Sequence, residues 1–227
     1  YRAAYKPGRW YAMPGERGVI MCTLPLLPVQ RVQKTFDSYF NECMNGFEYQ
    51  LAWHMIAEGM VQEGLAITRL IHDRYHPTKR NPWNEVECGD HYARSMASYG
   101  VFLALCGYHY DGPRGLLGFA PRLGAENFRA AFTTAEGWGS FAQKLQGPGP
   151  DQQASLHVQI ELRWGRLKLQ TLCLAPVGKR KPEHVEVRLS PQQAIPARLT
   201  VEADQVQIHL AQPLLLEAGQ TLHVRLW

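Results

Sequence analysis

The stretch LHVQIELRWGRLKLQTLC, residues 156–173, alternates apolar and polar side chains along most of its length. Leu156, Val158, Ile160, Leu162 and Trp164 fall on one side, and His157, Gln159, Glu161 and Arg163 on the other. A period of two predicts a strand with one buried face. Gly165-Arg166 has the composition of a two-residue hairpin turn with glycine first. Leu167, Leu169, Thr171 and Cys173 would then form the return strand. Further alternation follows at Val185/Val187/Leu189, Leu199/Val201, Val206/Ile208/Leu210 and Leu222/Val224/Leu226. Turn residues separate these runs at short, regular intervals, which predicts a small antiparallel sheet or sandwich. Upstream, Gly147-Pro148-Gly149-Pro150 reads as a linker. The change of period places a β-rich region over residues 125–227.

The preceding residues have the longer period of helices. Gly46–Gly59 presents Phe47, Leu51, Ala52, Met55 and Ile56 on one face. Val61–Tyr75 carries Val61, Leu65, Thr68 and Ile71 on a stripe. The short joint at Gly59-Met60 predicts an antiparallel helical hairpin. Asp90 can cap a third helix, which runs to Cys106 with Tyr92, Met96, Tyr99 and Leu103 on its apolar side and Gly107 as its stop. Residues 9–26 hold Pro14-Gly15 and Gly18 between short apolar runs, a hairpin-like excursion. Paired long helices with polar loops suit an α/α toroid. The expected class is α+β, with helices of an α/α toroid over residues 1–124 and the β region after them.

Polar chemistry concentrates in NPWNEVECGDHYARSMAS, residues 81–98. Pro82 and Gly89 keep its first half out of a regular helix. Glu85 and Glu87 therefore sit on a loop, and Arg94 in the first turns of the helix that follows. A carboxylate accepts hydrogen bonds from vicinal hydroxyls, and a guanidinium fork donates to others. That combination grips a polyhydroxylated ligand, with Trp83 as a candidate stacking platform. The competing reading is a salt bridge that fastens the loop to the helix.

This segment, with ECMNGFEYQLAWHMIAEGMVQEGLAI upstream and the chain down to about Phe141, resembles glycoside hydrolase family 116. That family includes bacterial β-glucosidases and the non-lysosomal glucosylceramidases, also called bile-acid β-glucosidases. The resemblance covers roughly the first 140 residues. It implies the closing helices of a six-hairpin α/α barrel and a retaining hydrolase of β-glucosides, whether oligosaccharide, aryl glucoside or glucosylceramide-like. It also implies that Glu85 and Arg94 line the glucose subsite. The family's nucleophilic Glu and acid/base Asp have no counterpart here, so the resemblance places them in an upstream part of the same protein. No cofactor is implied. A rival reading is a carbohydrate-binding or structural β module on a helical scaffold, without catalysis.

Other constellations have plainer explanations. His72 and His76 stand four apart, a spacing zinc can use, but His76 precedes Pro77 at a helix end and reads as a solvated terminus. Cys88 is flanked by Glu85, Glu87 and Asp90, which oppose a thiolate, so a nucleophilic role is disfavoured. The aromatic cluster from Tyr108 to Phe141 could stack on sugars or form a packing seam. The chain has 227 residues, 45% hydrophobic and 19% charged, with a net charge of +4. These values fit a globular protein and give no footprint for nucleic acid; the run Lys179-Arg180-Lys181 reads as a solvated hairpin tip. No apolar run reaches the ~18 residues of a membrane span. Five unpaired-looking cysteines without a CxxC motif fit a reducing, cytoplasmic setting. Tyr1 in place of Met leads to the expectation of a C-terminal portion of a longer protein.

Overall fold

The structure, a computed structural model, describes residues 15–19, 43–78, 94–147, 154–176, 181–202 and 205–227. The chain divides into two compact units, Tyr1–Ala104 and Leu105–Trp227.

In the first unit, α1 (Asn45–Ala57) and α2 (Val61–Arg74) form the expected helical hairpin. Glu48 meets Arg74, while Ala52 and Ile56 meet Gly64, so the two helices run antiparallel. Gly64 sits at their closest approach: a Cβ there would lie 2.6 Å from the Ala52 carbonyl oxygen and from Ile56 Cγ1. The buried face of α1 is Asn45, Glu48, Ala52 and Ile56. The expected face is thus half right, because Phe47 and Leu51 are exposed. The error has a physical source. α1 is apolar nearly all round, so periodicity cannot choose its inner side, and the pairing of Glu48 with Arg74 chooses it instead. A 3-10 turn over Arg94–Ala97 precedes α3 (Ser98–Cys106). On this segment Val101, Ala104 and Cys106 are buried, whereas Met96 and Tyr99, assigned to the apolar side from sequence, are exposed. The proposed cap Asp90 and residue Tyr92 lie outside the described residues.

Among its described residues the second unit holds ten strands: β1 (His109–Asp111), β2 (Leu116–Phe119), β3 (Asn127–Thr133), β4 (Gly137–Gln146), β5 (Ser155–Leu174), β6 (Val185–Ser190), β7 (Gln193–Ala194), β8 (Ala197–Glu202), β9 (Gln205–Glu217) and β10 (Thr221–Leu226). Strand accounts for 47% and helix for 25% of the described residues. The fold is therefore mostly β, built on a ten-stranded mixed sheet, and it is not the helical end of an α/α toroid. Among the described residues up to 106, the helices are one hairpin, the 3-10 turn and one short helix. Strands β1 and β2 begin at His109, so the β pattern starts before residue 125.

The residues 156–173 do not form a hairpin. They run straight through Gly165 as the 20-residue strand β5. Its first half pairs with β4 on one edge and β10 on the other, and its second half with β2, in parallel, and β9. Strands β9 and β10 follow one another along the same edge of β5, joined by a turn at Ala218-Gly219 that stays hydrogen-bonded to Leu162 and Gly165. Gly165 has a φ of +74°, and a Cβ there would lie 2.0 Å from the Glu136 carbonyl oxygen. Glycine serves here as a mid-strand kink, not as a turn.

Two irregularities explain the sequence pattern of β5. Trp138 pairs with Trp164 but Gly139 pairs with Leu162, which leaves Arg163 unopposed in a bulge. The buried series Leu156, Val158, Ile160, Leu162 then changes phase to Leu167 and Leu169. A second shift between Leu169 and Thr171 changes it again, to Leu172 and Leu174. A bulge inserts one residue and so moves every later side chain to the other face. Trp164, expected inside with Leu162, is 62% exposed for this reason. Between the two halves of the sheet, Phe119 of β2 stacks on Phe141 of β4 at 3.9 Å and meets Phe132 of β3 edge-on. All three rings are buried, so this part of the aromatic cluster is a packing seam between sheets.

Candidate functional site

Arg94 opens the 3-10 turn before α3 and is half-buried. Its aliphatic stem lies against Gly46 in the first turn of α1. A Cβ on Gly46 would come within 2.9 Å of Arg94 Cδ and 3.3 Å of Arg94 Cβ. Glycine at 46 is therefore required by close approach. An α-helical residue pays for the missing side chain in backbone entropy, and the contact with Arg94 accounts for its presence. Together they line a cleft of about 290 Å³ with Phe47, Gln50, Met96 and Ala97. The cleft combines a guanidinium, an amide and an exposed aromatic ring, groups that donate, accept and stack. Glu85, the other expected sugar-binding residue, lies outside the described residues, as do Trp83, Glu87, Cys88 and His91. The structure thus joins two separate motif segments, Asn45-Gly46-Phe47 and Arg94, and leaves the loop carboxylate undescribed.

A second polar constellation was not anticipated. Glu48 and Arg74 are both 1% exposed and form a bidentate pair between α1 and α2. Glu48 Oε1 also accepts from the Val19 amide at 2.7 Å, and Arg74 Nη1 donates to the Arg17 carbonyl at 2.9 Å. The segment Gly15–Val19 is thereby fastened over the pair. A Cβ on Gly18 would lie 2.5 Å from Arg74 Nη1 and 2.7 Å from Glu48 Oε1. Burial by itself disfavours the charged guanidinium, but the charge of Glu48 and its hydrogen bonds outweigh this and raise the Arg74 pKa. With its oxygens committed to three donors, Glu48 is a structural carboxylate. A signal existed in the sequence: Glu48 is the single carboxylate in an otherwise apolar or neutral helix.

Beside this pair, the end of α2 and residues 15–17 enclose an open cleft of about 980 Å³, lined by Arg69, His72, Asp73 and His76 among others. Arg69 and Asp73 pair with each other at 2.7 Å. His76 Nδ1 accepts from the Thr78 amide and lies 2.9 Å from its hydroxyl. Among the described residues no three His, Cys, Asp or Glu side chains come together as a metal site would need. Cys43, Cys106 and Cys173 are buried and take part in no disulfide among the described residues. Burial pushes the Cys106 thiol up to about 11 and raises that of Cys173, so neither is poised as a nucleophile. No helix among the described residues is long and apolar enough to cross a membrane.

Compared with known proteins, the chain matches no family model and no curated sequence.

Proposed function

We propose that this chain supplies sugar-binding residues to a retaining glycoside hydrolase of the β-glucosidase or glucosylceramidase type. The observation that carries the reading is the contact of Arg94 with Gly46. Two segments about fifty residues apart, each part of the resemblance, build one wall of a cleft. In this reading Glu85 accepts hydrogen bonds from glucose hydroxyls remote from the anomeric carbon, and Arg94 donates to them or holds Glu85. Contacts remote from the reacting carbon accelerate the reaction by orienting and distorting the sugar there. The nucleophile and acid/base of a retaining mechanism come from polypeptide beyond these residues.

The test uses the intact enzyme that carries this segment. Glu85→Gln keeps size and removes charge, which weakens charge-assisted hydrogen bonds worth ~1.5–3 kcal/mol. The expected loss in kcat/KM is roughly 10- to 150-fold with an unchanged melting temperature. Arg94→Lys loses activity too, since an ammonium cannot reproduce the fork. Earlier melting with normal specific activity in both variants would mean a purely structural salt bridge and would remove the assignment.

A further inference from the structure

The outer face of the sheet β3-β4-β5-β10-β6 presents ordered rows of polar side chains. The inner residues of these strands are apolar apart from the buried Gln143, and the outer ones are polar almost throughout. Register aligns the outer residues in rows. Lys144, His157, Arg225 and Glu186 form one, and Arg129, Ala142, Gln159, His223 and Arg188 the next. Ser140 and Glu161 lead the third row, where the Ser140 hydroxyl donates to Glu161 Oε2 at 3.2 Å. The last row is Trp138 and Trp164, 49% and 62% exposed. The bulge at Arg163 is what turns Trp164 to this side, directly opposite Trp138.

Charge on this face is one-sided. Five cations stand on it: Arg129, Lys144, Arg163, Arg188 and Arg225. Two carboxylates oppose them, and both are engaged: Glu161 with Arg163 at 3.0 Å and Glu186 with Arg188 at 2.6 Å. The excess is positive, and it gathers about 20 Å from the tryptophans, six residues along β4 at ~3.4 Å each. A shallow basin of about 230 Å³ between His157, His223, Glu186, Arg188 and Arg225 marks that end, its one carboxylate already paired with Arg188. Large aliphatic side chains do not appear in these outer rows, which disfavours an apolar protein partner. Exposed indoles stack on the apolar faces of sugar rings, while guanidinium, imidazole and amide groups meet hydroxyls and carboxylates.

We infer that this sheet face binds an acidic oligosaccharide, with sugar rings on Trp138 and Trp164 and uronate carboxylates at the cationic end formed by Lys144 and Arg225. The inference is independent of the Arg94 cleft, which belongs to the other unit. It is tested on the 227-residue chain by isothermal titration calorimetry with hexagalacturonate, its methyl ester and inorganic polyphosphate. Hexagalacturonate binds saturably, and the methyl ester, which keeps the rings and loses the charge, binds roughly tenfold more weakly. Trp164→Ala and Arg225→Gln each weaken the acidic sugar by roughly tenfold. Both side chains are solvent-facing, so circular-dichroism melts of the variants superimpose on that of the parent, and Trp164→Phe retains most of the affinity. The inference is overturned if hexagalacturonate does not bind at millimolar concentration, or if its ester binds equally well. It also fails if Trp164→Ala leaves the affinity unchanged, or if polyphosphate competes as strongly as the sugar.

Discussion

Glu48 and Arg74 show how single residues set the geometry of the helical unit. Two opposite charges removed from water gain stability only when the oxygens and N–H groups they carry are matched; here the Val19 amide and the Arg17 carbonyl extend the matching, while Arg74 Nε is buried without a partner among the described residues. Arg74→Met strands a buried carboxylate and should cost about 3–5 kcal/mol in urea unfolding. Adding Glu48→Leu should restore most of that loss, because the pair as a whole contributes little beyond its apolar replacement. A single variant that unfolds within about 1 kcal/mol of the parent would show that Glu48 reaches water, contrary to its burial. The same pair also decides which side of α1 is inside. Phe47 and Leu51 are larger and more hydrophobic than Glu48, yet they are exposed while Glu48 is buried. Hydrophobicity summed around a helix cannot report this, since the energy lies in a partner 26 positions away.

At the scale of elements, β5 organises the second unit. Its first half has a clean inner face, and Val158→Asp should destabilise by about 3 kcal/mol, since it buries an unpaired charge in a site 1% exposed. Glu161→Lys, on the outer face, should change stability by less than ~1 kcal/mol. Similar losses from the two substitutions would contradict the assignment of faces. The kink at Gly165 makes a separate demand. Alanine there must hold a left-handed φ and push against the Glu136 carbonyl. Gly165→Ala should therefore cost roughly 2–4 kcal/mol, read as a lowered denaturant midpoint with an unchanged slope. A neutral outcome would mean that β5 can bend elsewhere. Alternation in the sequence located this strand and named its inner residues up to Leu162. It missed the bulge, because Arg163 and Trp164 differ from a regular continuation only through what β4 places opposite them. It also read glycine as a turn, where the chain uses it to kink without reversing.

For the whole molecule, the proposed role places the chemistry beyond this chain. The purified 227 residues should release no p-nitrophenol from an aryl β-glucoside, because neither carboxylate of a retaining pair is assigned among them. Turnover above background that survives repurification would relocate the catalytic pair into this chain and revise the reading of Glu85 and Arg94. The sequence by itself determined the helical hairpin at 45–74, the β character of the C-terminal half, and the inner faces of its regular strands. Those follow from local periodicity, which each segment carries alone. Only the tertiary structure decided the remainder. The mixed sheet, with β2 parallel to β5, depends on contacts some fifty residues apart. The exposure of Trp164 depends on one unopposed residue in a bulge. The approach of Gly46 to Arg94 depends on two segments that share no local pattern. In each case the deciding energy is a steric or hydrogen-bond term between residues remote in the chain, and a pattern read along one strand or helix does not contain it.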